Sequence, residues 1–410
     1  MKNKYTVITI ILVMVFIVMG FRYIQRVPKR HYCDFRVYHA TAVKYLNRDD
    51  IYYRDTEAIT PFKYPPTFAF LFSFLGLLPI KGASILFFAL NYISIIVLMI
   101  FTLRAIDERC SFRTQMLLYG ICILCVLRFI LAVVDSGQVN VLMITLCVLG
   151  IYMMQKEKNG MAGFLFAVAA YFKYMPVLFL PYFLFRKKYR LFFMTVLWGG
   201  VFFLLPLLYS GLSTYVLYVK NWIPSIIETS LDLGSYINGK NQSLYSMVIR
   251  LLSSGHPYSL NIFTVPFTTA RFIGALIGFG MYSMVLIPVA AKKQIKLFDY
   301  SMLFLCIALL NPNAWPINFV ALVFPYMVLA YEVFYQKKRL ALVPMILSFI
   351  IMSLTSESLA SNYLEEVGYR LSDLTVGSLI LYGYFCFMKY RGEEPAEKRI
   401  VSINDLPSGS

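Results

Sequence analysis

Residues 82–103 read GASILFFALNYISIIVLMIFTL, a run without a single charged side chain. About 20 apolar residues in an α-helix are enough to cross the hydrocarbon part of a bilayer. The run ends at Arg104, and Arg109 and Arg113 follow shortly after it. This stretch therefore predicts a transmembrane helix whose C-terminal end lies beside a cluster of positive charge.

Apolar runs of this kind recur along the whole 410-residue chain, which is 59% hydrophobic and only 14% charged. Soluble domains carry about 25% charged residues. Because the runs are continuous and do not alternate, they favour helices over a membrane β-barrel. The sequence predicts an all-α polytopic membrane protein with about 12 transmembrane helices, plus short re-entrant or interfacial helices in the outer loops.

The predicted helices follow from these runs and from the prolines and charges that bound them. The short segment 67–78, bounded by prolines, is interfacial or re-entrant, and the chain reverses near Lys173. Residues 1–390 form a single predicted domain with outer loops at 25–66 and 210–262, and residues 391–410 form a polar, disordered cytoplasmic tail. The predicted spans cover residues 5–24, 82–103, 114–134, 139–155, 190–209, 263–291, 298–311, 316–335, 340–356 and 373–389, with two short helices between 160 and 185.

The net charge of +17 is explained better by membrane topology than by nucleic-acid binding. If both ends lie in the cytoplasm, every short Lys/Arg cluster falls on the cytoplasmic side, as the positive-inside rule requires. The 25–65 loop is basic but outside, which suggests an anionic ligand. We therefore expect a multi-pass protein of the inner (plasma) membrane, whose active site faces away from the cytoplasm.

Metal and disulfide chemistry receive no support from the sequence. Most of the seven cysteines lie inside apolar runs, and the three histidines are scattered. A Cys pair in a membrane helix, such as Cys122 and Cys125, usually packs as small apolar side chains. We expect neither a metal site nor a cofactor.

Asp34 is the strongest candidate for chemistry, because it follows the first helix closely and has aromatic neighbours. A carboxyl group at this depth can have a raised pKa and act as a general base. The alternative is a loop acid paired with Arg36 or Lys29.

Other polar residues interrupt the apolar pattern on the same predicted side of the membrane. Each has a simpler explanation by itself, such as a helix cap, an interfacial aromatic anchor or a lysine that reaches the surface. Together they come from separate segments that can line one outward-facing cavity. They are Lys63, Gln138, Asn140, Lys173, Asn241 and Trp315.

Several short motifs occur in an order that resembles the family-87 glycosyltransferases of GT-C fold. The resemblance runs from about residue 5 to 335. The family includes polyprenol-phosphate-mannose-dependent α-mannosyltransferases. The motifs are Asp34-Phe-x-Val-Tyr38, Tyr64-Pro-Pro66, Gly137-Gln-Val-Asn140, Lys173-x-x-Pro176 and Asn241-Gln-Ser243.

The resemblance implies an inverting transfer of a hexose or a pentose from a polyprenyl-phosphate-sugar donor to an acceptor hydroxyl. Mannose is the first candidate for the sugar. The resemblance makes Asp34 the base, and the lipid-linked donor is a substrate and not a cofactor. Lys173 is the first candidate to contact the donor phosphate, with Lys63 and Arg36 as further candidates. The implied partners are the donor, membrane lipid, and a glycolipid, glycan or protein acceptor, without nucleic acid. The sugar or acceptor is expected to contact Tyr38, Tyr64, Gln138, Asn140, Asn241, Gln242, Trp315 and Asn318.

One motif departs from the family pattern. Relatives of the mycobacterial mannosyltransferase have a His shortly after the tryptophan of the later outer motif, whereas Trp315 is followed by Pro-Ile-Asn318. Asn318 can accept and donate hydrogen bonds in place of that His, but unlike His it cannot titrate. The identity of the sugar or acceptor therefore remains open.

Two other functions fit parts of the sequence. A secondary transporter or a flippase for a lipid-linked or small anionic substrate would also contain broken helices, but it should show inverted repeats and charges at mid-depth. A non-catalytic scaffold would keep its function after Asp34→Asn, whereas an enzyme would lose it.

Overall fold

The computed structural model describes residues 14–15, 17–25, 34–53, 62–260, 262–287, 296–354 and 362–391. Helices dominate these residues, and no strand occurs among them. Parts of the predicted spans 5–24, 263–291 and 340–356, of the first outer loop and most of the tail lie outside the described residues.

The α-helices are numbered in chain order, with α1 covering residues 17–25. Short 3-10 helices cover Met175–Leu178, Pro316–Leu322 and Arg339–Ala341, and a π-helix covers Tyr331–Tyr335. The others are α2 (Asp34–Asn47), α3 (Pro66–Gly76), α4 (Ile80–Ile106), α5 (Phe112–Ser136), α6 (Asn140–Gln155), α7 (Asn159–Phe172), α8 (Phe179–Phe185), α9 (Tyr189–Ser210), α10 (Leu212–Leu231), α11 (Leu233–Ile237), α12 (Leu244–Leu252), α13 (Phe267–Leu286), α14 (Lys296–Leu309), α15 (Val323–Ala330), α16 (Leu342–Leu354), α17 (Asn362–Leu371) and α18 (Asp373–Arg391).

The all-helical, membrane-type architecture is confirmed, but the number of spans is not. Within the described residues, 5 helices are long and apolar enough to cross a membrane, or 6 if the bent pair α17–α18 counts as one span. Two other predicted spans, 139–155 and 340–356, correspond to apolar helices of only 10–17 residues, and the two short helices predicted between 160 and 185 fall in the same class. At a rise of about 1.5 Å per residue, helices of that length do not cross about 30 Å of hydrocarbon alone.

Helices occur in both predicted outer loops, as the sequence suggested, but the 20-residue helix α10 was not predicted. α2 occupies part of the first loop, and α10, α11 and α12 occupy most of the second. The amphipathic helix α17 was also missed. The reversal near Lys173 is confirmed. α7 ends at Phe172, and the rings of Phe166 and Phe183, on either side of the break, lie 5.0 Å apart, whereas 17 residues of continuous helix would separate them by about 25 Å.

The segment Pro316–Tyr335 lies at the centre of the molecule. It is apolar enough to be a span, yet 83% of its apolar window is buried, against 22% for α9. The chain winds it as 3-10, then α, then π helix. Protein, and not lipid, therefore surrounds this segment, and its N-terminal end is fixed where the candidate site lies.

Close backbone contacts hold α2 and α3 against the bundle. A Cβ atom at Gly76 would come within 2.8 Å of the Ala42 backbone, so the two helices approach as closely as a glycine allows. The Tyr45 hydroxyl donates to the Pro206 carbonyl at 3.1 Å, and the Thr67 hydroxyl donates to the Phe202 carbonyl at 3.0 Å. The first bond fixes α2, and with it Asp34, beside α9, and the second fixes α3 there.

Candidate active site

Asp34 is the first residue of α2, where the free backbone N–H groups of a helix favour a negative charge. Its position depends on Gly137, which ends α5 in the left-handed conformation with φ +67°. A Cβ atom at Gly137 would lie 2.7 Å from the Phe35 Cβ atom and would also meet the Tyr23 hydroxyl. The end of α5 can therefore approach the start of α2 only because residue 137 has no side chain.

A hydrogen-bonded network of two tyrosines and one amide lies beside Asp34. The Tyr38 hydroxyl donates to Gln138 Oε1 at 2.8 Å and lies 2.7 Å from the Tyr64 hydroxyl. The Tyr64 hydroxyl also lies 3.4 Å from Gln138 Oε1, and the Tyr52 hydroxyl donates to the Tyr64 carbonyl at 2.7 Å. With its oxygen occupied by tyrosines, Gln138 uses its side chain as a donor to the Asp34 carboxylate.

The Asp34 carboxyl group is a better base than an ordinary aspartate. Burial raises its pKa above the usual 3.8, because desolvation disfavours the charged form. The hydrogen bond from Gln138 and the charges of Lys173 and Lys63 oppose this shift without cancelling it. The group therefore takes up a proton more readily than a surface aspartate would, with two cations within electrostatic range.

Lys173 sits where α7 ends, and its extended backbone breaks the helix there. Its ammonium donates to Asn318 Oδ1 at 2.9 Å. Asn140 Nδ2 donates to the same oxygen at 3.1 Å and to the Ile317 carbonyl at 2.8 Å. Burial lowers the pKa of Lys173 to about 8, while the Asp34 charge acts in the opposite direction. Residues 140, 173 and 318 thus form a second network, linked electrostatically to the first.

Asn241 and Gln242 are placed differently from the residues around Asp34. Asn241 is fully buried, and its side chain bonds to the backbone of residues 235, 243, 312 and 314 at 2.8–3.2 Å. The Gln242 N–H donates to the Ala314 carbonyl at 2.8 Å. This third network holds the 311–315 segment, which immediately precedes the helix carrying Asn318.

The other predicted residues lie around these networks. Trp315 is 37% exposed, and its carbonyl accepts from the Asn318 N–H at 2.8 Å. Lys63 is exposed beside Tyr64. Arg36 follows Asp34 by two positions on α2, and residues so spaced on a helix do not face each other. Within the described residues, no group of three or more His, Cys, Asp or Glu side chains could hold a metal ion.

Arg250 is a residue that the sequence analysis missed, although a lone cation in the apolar stretch of α12 was a visible signal. It is fully buried, and its Nη2 donates to the carbonyls of Asn238, Gly239 and Asn241 at 2.8, 3.1 and 2.6 Å. Its Nη1 donates to the Ser372 hydroxyl at 2.7 Å. Arg250 therefore fixes the turn that carries Asn241.

We expect Arg250→Met to lower the free energy of unfolding by about 3 kcal/mol or more, because buried carbonyls left without donors cost about 1–3 kcal/mol each. A thermal-unfolding measurement in detergent would test this. The control is Arg190→Met at an exposed position, where little change is expected. Equal unfolding temperatures for the Arg250 variant and the wild type would contradict this role.

A family model for glycosyltransferase family 87 matches residues 62–312, which is more than half of the chain. The chain belongs to glycosyltransferase family 87. Among curated proteins, no relative matches it. Family-87 membership supports a glycosyltransferase acting on a sugar donor and an acceptor, and it does not support the transporter or scaffold alternatives.

The family-87 match contains most of the residues in the three networks, including Tyr64, Gln138 and Lys173. Asp34 and Tyr38 precede the matched region, and Asn318 follows it. The contacts across these boundaries include the hydrogen bonds of Tyr38 to Gln138 and of Lys173 to Asn318. Residues outside the matched region therefore complete the site that its central part begins.

Proposed function

We propose that this chain is an inverting glycosyltransferase with Asp34 as general base. It transfers a sugar, for which mannose is the first candidate, from a polyprenyl-phosphate donor to an acceptor hydroxyl. One observation carries the proposal. A desolvated carboxylate at the start of α2 and a half-buried ammonium at the end of α7 act on each other electrostatically within one polar site. A carboxylate paired with a cation provides what base-assisted displacement of a phosphate requires.

In the proposed reaction, Asp34 accepts the proton of the acceptor hydroxyl as that oxygen attacks C1 of the donor sugar. The C1–O bond to the lipid phosphate breaks, and the phosphate leaves with the bonding electron pair. Attack opposite the leaving group inverts the anomeric centre. Gln138, held by Tyr38 and Tyr64, donates to Asp34 and keeps the carboxylate oriented during the transfer.

Lys173 is proposed to meet the donor phosphate and to stabilise the charge that develops on it. Its own partner is Asn318 Oδ1, a neutral acceptor that fixes the ammonium without neutralising it. Asn140 donates to the same oxygen and keeps the Asn318 amide oriented. Lys63, exposed nearby, is proposed as a second phosphate contact, with Arg36 a less favoured one.

The remaining assignments follow from the placement of the residues. Tyr38, Tyr64, Gln138 and Trp315 are proposed to shape the space for the sugar and acceptor. For Asn241 and Gln242 we propose a positioning role instead of direct contact, because both are buried and bonded to backbone groups.

We further propose that residues 1–390 form one catalytic unit in the plasma membrane, with Asp34 on the outer face. One hydrophobic cluster containing Tyr23 and Met388 supports a single unit. The proposed donor is lipid-linked, no cofactor takes part, and the acceptor is a glycolipid, glycan or protein hydroxyl.

A transfer assay with the purified protein would test the proposal. Radiolabelled polyprenyl-phosphate-mannose is mixed with membranes from cells that lack the gene, which supply the acceptor. Label is expected to move to a new product with wild type and not with Asp34→Asn. If the same assay with mannose, other hexoses and pentoses on polyprenyl phosphate yields no product, the proposal is wrong.

The rate of transfer is expected to depend on pH as a bell-shaped curve in kcat/KM, which reports the free enzyme. On the acid side, activity falls as Asp34 is protonated, and burial moves this limb above the range of an ordinary aspartate. On the alkaline side, activity falls as Lys173 loses its proton near pH 8. Lys173→Arg should move the alkaline limb upward, and an unchanged limb would contradict the assignment.

A further inference from the structure

Helix α10 differs from the helices around it. It has 20 residues, enough to cross a bilayer by length, yet it is not among the helices apolar enough to do so. Gly211, with φ +75°, separates it from the membrane-span helix α9. The Tyr215 hydroxyl donates to the Phe203 carbonyl at 2.6 Å, so the start of α10 stays beside α9.

One face of α10 is turned toward the protein, and three hydrogen-bonding side chains lie on it. The Tyr218 hydroxyl donates to the Asp49 carbonyl at 2.8 Å, and Asn221 Nδ2 donates to Asp50 Oδ2 at 2.9 Å. The Ser225 hydroxyl donates to the Phe62 carbonyl at 3.2 Å. The amphipathic pattern is thus reversed relative to that of a soluble protein, because hydrogen-bonding groups point inward.

The opposite face of α10 is an apolar stripe. Leu212, Val216, Ile223 and Ile227 are 68, 54, 52 and 53% exposed, and their spacing of four, seven and four places them on one side of a helix. Lys220 is exposed at the edge of this stripe. Apolar residues on one face with a flanking lysine are typical of a helix that lies in a membrane interface.

The apolar stripe continues a surface that faces lipid. Leu204 and Leu208 of the membrane-span helix α9 are 54 and 82% exposed, and Leu212 follows directly after Gly211. We propose that α10 lies in the interface of the leaflet that the end of α9 reaches. Its stripe is covered by lipid acyl chains, and Lys220 reaches the lipid phosphates.

This placement has a consequence that rests on the proposed function. The inner face of α10 holds Asp49, Asp50 and Phe62, and Lys63 and Tyr64 follow directly. A helix anchored in the interface therefore keeps this edge of the site at the depth where the phosphate of a lipid-linked donor lies. The helix acts here as a positioning element and does not touch the reacting atoms.

Electron paramagnetic resonance in nanodiscs would test the lipid contact directly. In a background without the seven native cysteines, nitroxide labels are placed one at a time at 216, 223 and 227. Labels in acyl chains are accessible to oxygen and shielded from a water-soluble nickel chelate. A label at 208 is the lipid control, and a label at Ser254, exposed in a loop, is the comparison.

We expect stripe labels to behave like the label at 208. Strong accessibility to the nickel chelate would overturn the proposal, because the stripe would then face water. Shielding from both reagents, with dipolar coupling between two labelled chains, would also overturn it, because a second copy would then cover the stripe.

The effect on the reaction can be separated from the glycosyltransferase proposal itself. The double variant Ile223→Asn/Ile227→Asn should raise KM for a long-chain donor in bilayers by roughly tenfold, with little change for a short water-soluble donor. The control is Ser213→Asn, exposed on the same helix beside the stripe. Equal KM changes for both donors would overturn the positioning role. If wild type transfers no sugar, the proposed function fails while the resonance result still decides the lipid contact.

Discussion

Replacing Asp34 with Asn is expected to lower kcat for sugar transfer by about 10²- to 10⁴-fold, the usual contribution of a positioned general base. Asparagine keeps the shape of the side chain but cannot accept the acceptor's proton. Donor affinity should change little, because the proposed contact of Asp34 is with the acceptor. Single-turnover kinetics with labelled donor, together with a donor-binding measurement, would separate the two quantities.

The matched control is Asp49→Asn, an exposed aspartate that follows α2. It removes the same charge from the same region of the chain, and we expect transfer near the wild-type rate. A variant Asp34→Asn that retains wild-type kcat would exclude Asp34 as the base. A parallel loss in the Asp49 variant would instead indicate that net charge, and not proton transfer, controls the rate.

Replacing Lys173 with Ala is expected to lower kcat/KM by about 10²- to 10³-fold, the effect of removing one well-placed stabiliser of transition-state charge. The loss should appear in donor affinity as well as in kcat, because the proposed contact is with the donor phosphate. A second effect should follow on Asp34. Without the nearby positive charge, its pKa should rise further, so the acid limb of the pH profile should move upward.

Lys173→Arg and Lys158→Ala complete the test. Arginine keeps the charge and should recover part of the activity, although its fork does not fit the single Asn318 oxygen as the ammonium does. Lys158 is exposed next to the other end of α7, and its removal should have little effect. Unchanged donor affinity in Lys173→Ala would exclude the phosphate contact.

The sequence predicted those features of the fold that local hydrophobicity determines. The spans of α4, α5 and α9 were placed to within three residues, because a continuous apolar run bounded by basic residues has few other interpretations. The reversal at Lys173 was also predicted, from charge clusters that could not lie on opposite sides of the membrane. Whether helices of 10–17 residues span the membrane was harder to predict, because a short apolar run can be covered either by lipid or by protein.

The candidate site was predicted in composition but not in connectivity. Asp34, Gln138 and Lys173 were selected from separate segments, and the structure brings them within electrostatic or hydrogen-bond range. Nothing in the sequence showed that Asn318 receives the Lys173 ammonium, or that Arg250 fixes the turn of Asn241. Such contacts join residues far apart in the chain, and only the folded structure defines them.

Helix α10 was overlooked for a different reason. Its apolar run is interrupted by Lys220, Asn221 and Pro224. Because the prediction relied on continuous apolar runs, this segment was interpreted as a loop. The spacing of Leu212, Val216, Ile223 and Ile227 carried the missing signal, because it repeats with the period of a helix. A scan for helical periodicity would have recovered it.

The absence of a side chain at Gly137 gives a way to separate assembly of the protein from its chemistry. Any larger residue there would clash with the start of α2 and separate the Asp34 carboxylate from the Gln138 amide. The rest of the bundle is expected to stay in place. A protein altered in this manner is expected to bind the proposed lipid-linked donor without transferring its sugar. Such a stalled enzyme could hold its donor long enough for the bound sugar to be identified.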